Sequence, residues 1–200
     1  MHYLQQRFAE AIDAGKLLVI EGDVLSTDLH ALGPMIGERP VIAGNLPYYI
    51  TSPILEKVFS LRGAWERAVF LVQAEVAERI AAIPGTRDFG YLSVLAQVQT
   101  NVEILFRVPR DAFRPPPKVD SAVIRLTPRA QRIADLEGFL RFAQTCFRQK
   151  RKTLRNNLAD KYGKDVVDAL PEVKARAEQL SVAELIALYE KLAGHIQTSH

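Results

Sequence analysis

The spacing of apolar and polar positions along the first 128 residues predicts apolar strands that alternate with amphipathic helices. The predicted strands are residues 17–23, 41–45, 68–73, 102–108 and 119–126, and the predicted helices are residues 3–14, 53–61, 74–82 and 91–99. The run at 41–45 is too apolar for the edge of a sheet, so we expect a buried parallel strand there. This order of elements favours an α/β fold.

The pattern changes near residue 128 and is helical from there onward. Apolar residues between positions 139 and 158 mark one face of a single helix, and further helices are predicted at about residues 164–170 and 181–193. We therefore expect two domains, residues 1–128 and residues 129–200, of which the second is small and all-α.

The composition is that of an ordinary globular protein, with 24% charged and 48% hydrophobic residues. The single cysteine, Cys146, excludes an internal disulfide and falls on an apolar helical face, which favours a buried structural thiol in a reducing compartment. The histidines are scattered without ligand spacing, so no metal site is expected. The sequence contains neither an apolar run of about 18 residues nor a signal-peptide pattern, so we expect a cytoplasmic protein without a membrane partner.

Positive charge is concentrated in the helical tail. Residues 129–200 carry 13 Lys or Arg against 9 Asp or Glu, a net charge of +4 in a chain whose total is +3. Five basic residues fall within eight positions that contain no acid: Arg148, Lys150, Arg151, Lys152 and Arg155. All of them except Lys150 would share one face at helical spacing. Such a face is either merely solvated or binds phosphates, and phosphate contacts orient an RNA without reading its sequence.

The apolar run at 41–45 ends in a turn with the chemistry of an amine-binding site. Pro47 fixes its own φ and holds Leu46 extended, so the Asn45 side-chain oxygen and the Leu46 carbonyl would form two acceptors beside the face of Tyr48. This set suits a planar ligand with an amino group, such as adenine. The exocyclic amine of adenine is a poor nucleophile, and two acceptors would favour a localised lone pair on it. The competing interpretation is an ordinary turn at the end of a strand.

Four blocks of the sequence resemble the ribosomal RNA adenine dimethyltransferases, which methylate two adjacent adenosines of small-subunit ribosomal RNA. The blocks are Glu21–Leu25, Gly44–Leu55, Gln73–Arg79 and Val108–Val123, and the resemblance runs from about residue 4 to about residue 190. It implies a class I methyltransferase with a Rossmann-like sheet, S-adenosylmethionine as cofactor, and RNA of the pre-30S particle as partner. The erythromycin-resistance methylases, which act on large-subunit RNA, are the nearest alternative family.

The resemblance also implies roles for individual residues. The implied catalytic residues are Asn45, Leu46, Pro47, Tyr48 and Phe113, and the implied cofactor contacts are Asp23, Val24 and Asn45. Positive charge beside the predicted adenine pocket, and not the resemblance, predicts the RNA contacts, which are Arg110, Arg114, Lys118 and the five basic residues between positions 148 and 155. Tyr48 and Phe113 would sandwich the target base, by the stacking used for unpaired bases. The competing interpretations are a turn cap for Asp23 and a buried loop anchor for Phe113.

Two elements of the family are missing from the sequence. It contains no G-x-G pattern for the methionine part of the cofactor, and no acidic residue after a second strand for the ribose. By resemblance both would precede Met1, so we expect the first strands of the sheet to be missing and S-adenosylmethionine to bind poorly. An alternative function is therefore an inactive chain that only binds RNA. The basic tail and the run Pro115–Pro117 favour the small-subunit family over the large-subunit family.

Overall fold

Four strands form one mixed sheet in the computed structural model, which describes residues 2–130 and 133–197, with residues 34–36 and 195–197 as backbone only. The strands are β1 (Val41–Asn45), β2 (Arg67–Gln73), β3 (Thr100–Val108) and β4 (Ser121–Pro128). The helices are α1 (His2–Arg7), α2 (Ala9–Asp13), α3 (Leu29–Ile36), α4 (Thr51–Ser60), α5 (Ala74–Ala81), α6 (Tyr91–Gln97), α7 (Leu136–Phe147), α8 (Leu154–Tyr162), α9 (Lys164–Asp168) and α10 (Val182–Gln197). A sheet with interleaved helices, followed by helices alone, confirms the predicted α/β architecture.

Three strands finish at the same end of the sheet. Its order is β1-β2-β4-β3, with β1 parallel to β2 and with β4 antiparallel to both of its neighbours. Asn45 pairs with Leu71, and Ser121 pairs with both Gln73 and Val108. The carboxyl ends of β2 and β3 therefore lie beside the first residue of β4, and β1 finishes toward the same end of the sheet. Ligands of open α/β sheets bind outside the carboxyl ends of parallel strands.

The strand predicted at residues 17–23 does not form, so that prediction is wrong. Leu18 and Ile20 are 53% and 50% exposed, and residues 17–23 belong to none of the four strands. An extended segment without a neighbouring strand has no partner for its backbone groups except water, and an isolated strand is not stable by itself.

β1 lies at the edge of the sheet in the described ranges, so the prediction of a buried strand is wrong as well. Val41 is 48% exposed, and residues along β1 alternate between exposed and half-buried. Among the described strands only β2 pairs with it. The parallel pairing and the place of Asn45 at the carboxyl end of the strand are as predicted.

Two apolar clusters make up the core. The cluster around the sheet includes Leu55, Phe70, Ile80 and Ile124, and the cluster among the C-terminal helices includes Phe139, Phe142, Leu158 and Leu185. Helix α6 contributes Val94 to the helical cluster and Leu95 to the sheet cluster. A domain boundary near residue 128 stays a prediction. Cys146 is buried in the helical cluster, as predicted, and burial raises the pKa of its thiol.

The single helix predicted for residues 139–158 is in fact two helices, α7 and α8, joined by a basic turn at residues 148–153. The side-chain nitrogen of Asn157 donates to the carbonyls of Cys146 and Gln149, at 2.8 and 3.3 Å. In a continuous helix those carbonyls would accept from backbone N–H groups four residues later. Because the helix stops, the arginines and lysines of the basic turn do not share a helical face.

Candidate active site

The turn after β1 is held in place by the strand and by one buried side chain. Leu46 is 7% exposed, and its N–H donates to the Leu71 carbonyl at 3.0 Å, which extends the pairing of β1 with β2 by one bond. An added Cβ at Gly44 would lie 3.1 Å from Leu46 Cδ2, so glycine at this position leaves room for the leucine side chain. With Leu46 turned inward, Asn45 is left exposed to solvent.

Pro47 directs the chain out of the strand and into α4. Its φ and ψ are −59° and 127°, and its carbonyl accepts from Ile50 N–H and from the buried Thr51 hydroxyl, both at 3.1 Å. These bonds stabilise a 3-10 turn at Tyr48–Ile50. No group in the described ranges donates to the Asn45 side chain or to the Leu46 carbonyl. Both predicted acceptors are therefore left without a competing donor.

Tyr48 stands next to these acceptors and is tied to the centre of the sheet. Its ring is half-buried, and its hydroxyl lies 2.7 Å from the Ser121 hydroxyl at the start of β4. Ser121 is fully buried. The phenol end of the ring is thus anchored at the first residue of β4, at the end of the sheet where β1 also finishes.

Phe113 lies in the proline loop, residues 109–120, which begins and ends at this same end of the sheet. The Asp120 carboxylate accepts from Arg110 N–H at 3.0 Å, and the Asp120 carbonyl accepts from Ala74 N–H at 3.0 Å. These bonds close the loop on itself and attach it to the end of β2. Phe113 is half-buried within it. That Phe113 faces Tyr48 across a bound base stays a prediction.

Asp23 and Val24, the predicted cofactor contacts, are exposed and lie in a turn. The Asp23 carboxylate accepts from Leu25 N–H at 2.9 Å, and the Asp23 carbonyl accepts from Thr27 N–H at 2.9 Å. Lys57 of α4 fastens this turn by donating to the Leu25 carbonyl at 2.6 Å. One Asp23 oxygen therefore caps the turn, as in the competing interpretation. Among the described residues no strand lies beyond β1, and Asp23 and Val24 stand exposed on a turn, so these residues do not form a site for S-adenosylmethionine by themselves.

The predicted RNA contacts form two exposed groups with different partners. Arg110, Arg114 and Lys118 are exposed on the proline loop. In and after the basic turn, three residues have partners: Arg148 lies 3.7 Å from Asp160, Lys150 donates to the Arg87 carbonyl, and Arg155 Nη2 lies 2.7 Å from Asp168. The Arg155 guanidinium lowers the pKa of the Asp168 carboxyl by hydrogen bonding. In the described part of the chain the side chains of Arg151 and Lys152 have no such partner.

Three residues that hold these parts of the structure in place were not predicted from the sequence. Ser121 is recognisable only as the first residue after the proline loop, and Asn157 only as a polar residue on the apolar face of Leu154 and Leu158. Phe89 looked like part of a connector, but it is fully buried in the helical cluster, with its ring 6.0 Å from that of Phe147. The loop before α6 is therefore docked on the helical part of the chain.

The described residues contain neither a candidate metal site nor a candidate membrane-spanning helix. No group of three or more His, Cys, Asp or Glu side chains there could hold a metal ion. None of the described helices is both long enough and apolar enough to cross a membrane.

Comparison with known proteins identifies the family. The family model of ribosomal RNA adenine dimethylase matches residues 2–194. Ribosomal RNA small subunit methyltransferase A of Chlorobaculum parvum is 47% identical over 176 residues, which are 87% of this chain and 63% of that protein. The protein of the same name from Chlorobium chlorochromatii is 46% identical over 175 residues, 87% of this chain and 66% of that protein. The chain thus spans slightly less than two thirds of the length of these relatives.

Solved structures agree on the fold. A dimethyladenosine transferase from Plasmodium falciparum superposes with a TM-score of 0.77 at 24% identity, covering 95% of this chain and 76% of that one. The 23S rRNA methyltransferase ErmE superposes with a TM-score of 0.60 at 25% identity, covering 96% of this chain and 77% of that one. These likenesses confirm the predicted Rossmann-like methyltransferase fold. Because the family model matches nearly the whole length of this chain, the chain belongs to the ribosomal RNA adenine dimethylase family.

Proposed function

We propose that this chain takes part in the N6,N6-dimethylation of two adjacent adenosines in small-subunit ribosomal RNA, by holding the target adenine. The observation that carries the proposal is the pair of acceptors at the end of β1, which lack a donor among the described residues and stand three and two positions before Tyr48, whose hydroxyl is anchored to Ser121. The relatives named for small-subunit RNA support this choice of substrate. Its partner would be the pre-30S particle and its compartment the cytoplasm.

The acceptors act on the nitrogen that receives the methyl group. The lone pair of the adenine amine is delocalised into the ring, which makes the amine a weak nucleophile. Hydrogen bonds from the amine to the Asn45 side-chain oxygen and the Leu46 carbonyl favour a pyramidal nitrogen whose lone pair is localised. The same bonds become stronger as positive charge develops on that nitrogen, so they stabilise the transition state more than the bound base.

The aromatic residues select an unpaired base. A base inside a duplex cannot present its amine to a pocket at a sheet edge, so the target adenine must be extruded or already single-stranded. Stacking on Tyr48, with Phe113 on the opposite face, would compensate part of the lost base stacking, at about 1 to 3 kcal/mol for each aromatic contact. Basic residues on the proline loop would hold the flanking phosphates.

The family implies S-adenosylmethionine as the methyl donor. In the described ranges residues 17–23 are not part of the sheet, and one Asp23 oxygen is engaged in its own turn. The chemistry that these residues support is therefore confined to the target adenine: binding it, orienting its amine and excluding water from it.

Product analysis tests the enzymatic proposal. Incubation of a version extended to the length of the relatives with S-adenosylmethionine and an RNA hairpin carrying two adjacent unpaired adenosines is expected to yield N6,N6-dimethyladenosine, detected by mass spectrometry of the digested RNA. A hairpin with guanosines at the two positions is the matched control. If the extended version yields no methylated adenosine at saturating donor, the enzymatic proposal is refuted.

A second candidate function is an RNA-binding module without activity. The state of residues 17–23 favours it, because they form no strand beside β1 in the described part of the chain. Calorimetric titration with S-adenosylmethionine, run in parallel with RNA binding, separates the two candidates. Heat from the cofactor supports the enzyme, whereas salt-sensitive RNA binding without cofactor heat supports the module.

Methylation of large-subunit RNA is less well supported than methylation of small-subunit RNA. The pocket residues suit either substrate. The small-subunit relatives are 46% and 47% identical, whereas the 23S rRNA methyltransferase is 25% identical. Methylation assays on both RNAs would show the substrate directly.

RNA binding should depend on Arg151 and Lys152 more than on Arg155. We expect the double variant Arg151→Ala, Lys152→Ala to lower the slope of log affinity against log salt by about 1.5, because two phosphate contacts are lost. Arg155→Ala is the control and should change the slope by less than about 0.5, because Asp168 already binds its guanidinium. Filter binding between low and physiological salt measures both. Equal changes in slope would contradict this division of roles.

A further inference from the structure

The hydrogen bond between Tyr48 and Ser121 joins two parts of the site that are distant in sequence. The two hydroxyl oxygens are 2.7 Å apart, although the residues are separated by 73 positions. Ser121 is fully buried, whereas the Tyr48 ring is half-buried in the turn that follows β1. A buried hydroxyl that meets the tip of a partly exposed ring is placed to control the orientation of that ring.

Ser121 is the more rigid partner of this pair. It pairs with Gln73 on one side and with Val108 on the other, since β4 is an inner strand of the sheet. The preceding residue, Asp120, accepts from Ala74 N–H through its carbonyl at 3.0 Å. The backbone that carries the serine hydroxyl is therefore bonded to both neighbouring strands.

Tyr48 has fewer restraints of its own. It begins the 3-10 turn at Tyr48–Ile50, outside the sheet, and follows an edge strand. Without a bond at its hydroxyl the ring could leave its position by rotation about its side-chain torsions. The bond to Ser121 restricts this rotation and leaves the faces of the ring unoccupied by the hydrogen bond.

We infer that Ser121 is a positioning residue: it holds the Tyr48 ring in the orientation in which the target adenine stacks on it. The inference rests on the proposed function. Its physical basis is preorganisation, because a ring already fixed in the stacking orientation loses less conformational freedom when the base arrives. Ser121 itself is buried and does not have to touch the RNA.

Fluorescence of a base analogue in the RNA tests the inference. The target adenosine is replaced by 8-vinyladenosine, which retains the 6-amino group and changes its emission on stacking against an aromatic ring. Ser121→Ala is expected to lower the stacking constant of this base about fivefold, the ratio that corresponds to the loss of about one hydrogen bond. RNA affinity, measured separately by anisotropy, should change less than twofold.

Tyr48→Phe removes the same hydrogen bond from the exposed side and keeps the ring. Its stacking constant should equal that of Ser121→Ala. The stacking constant of the double variant should be no lower than that of either single variant, because all three variants lack the same hydrogen bond. If Ser121→Ala fails to fold by circular dichroism, Tyr48→Phe carries the test. Ser93→Ala is the matched control, because Ser93 is equally buried and hydrogen-bonded but contacts Arg79 and Gly90 instead.

Three results would overturn the inference, and they are distinguishable. Wild-type stacking in both Tyr48→Phe and a folded Ser121→Ala variant means that the bond serves only stability. Equal loss in Ser93→Ala means that any buried serine has the same effect. If the emission of the base analogue does not change when the unaltered chain binds the RNA, and Tyr48→Ala gives the same result, the base does not stack on Tyr48. That result contradicts the proposed function itself and removes the inference with it.

Discussion

In a version of the chain extended to the length of its relatives, replacing Asn45 with alanine is expected to slow methylation of the target adenosine by about 100- to 1,000-fold, the loss found when one preorganised transition-state hydrogen bond is removed. The exposed amide at the end of β1 has no donor among the described residues, so its oxygen is free to meet the adenine amine. Alanine cannot accept this bond, and the Leu46 carbonyl alone would hold the amine. RNA affinity should change less than twofold, because phosphate contacts dominate it.

Single-turnover methyl transfer at saturating S-adenosylmethionine measures the effect of Asn45→Ala. The matched control is Asn101→Ala, an exposed asparagine at the opposite end of the sheet, where its oxygen accepts from Arg129. The control should transfer methyl groups at the wild-type rate. A rate for Asn45→Ala within threefold of the unaltered chain would refute the role given to this side chain.

Asn157→Ala is expected to lower the free energy of unfolding by about 3 kcal/mol, because the buried Cys146 carbonyl and the backbone N–H and carbonyl of Gln149 lose their side-chain partner. Asn157 is 2% exposed. Its side chain donates to the Cys146 and Gln149 carbonyls, and its oxygen accepts from Gln149 N–H at 3.2 Å. These three bonds fix the start of the basic turn, so the substitution should also weaken RNA binding through Arg151 and Lys152.

Urea unfolding and filter binding measure the two consequences of Asn157→Ala. Asn156→Ala is the control, because the neighbouring asparagine is exposed and its side chain has no partner in the described ranges. It should change the free energy of unfolding by less than about 0.5 kcal/mol. A loss below about 1 kcal/mol for Asn157→Ala would show that the turn is held by other contacts.

The position of the two acceptors could be predicted from the sequence because it depends on adjacent residues. An apolar strand followed by Asn45, Leu46 and Pro47 dictates where the acceptors lie, and the structure places them at the carboxyl end of β1. The four resembling blocks, in order along the chain, also identified the family. Both inferences depend on spacing within a few residues, which a single sequence contains.

Features that depend on distant partners could not be predicted. The bond between Tyr48 and Ser121 joins residues that are 73 positions apart, and no periodicity encodes such a pair. Residues 17–23 have the apolar character of a strand, but a strand also needs a neighbour, and none of the four described strands pairs with them.

The break between α7 and α8 shows how one buried polar side chain can override periodicity. The apolar positions from 139 to 158 fit a single helix, and the basic residues then share a face. Asn157 instead binds the carbonyls at the end of α7, so the chain turns and the basic residues spread over the turn. Helical spacing alone does not reveal whether an asparagine on the apolar face points at solvent or at a helix end.

The central claim is that the Asn45 side-chain oxygen and the Leu46 carbonyl bind the amine of an unpaired adenine. Nuclear magnetic resonance of an RNA hairpin labelled with ¹⁵N at N6 of the target adenosine tests this most directly, and it requires no cofactor. Binding to the unaltered chain is expected to shift both amino protons downfield, and binding to Asn45→Ala should leave one of them near its free position. Saturated RNA binding with the amino signals unchanged from the free hairpin would contradict the claim.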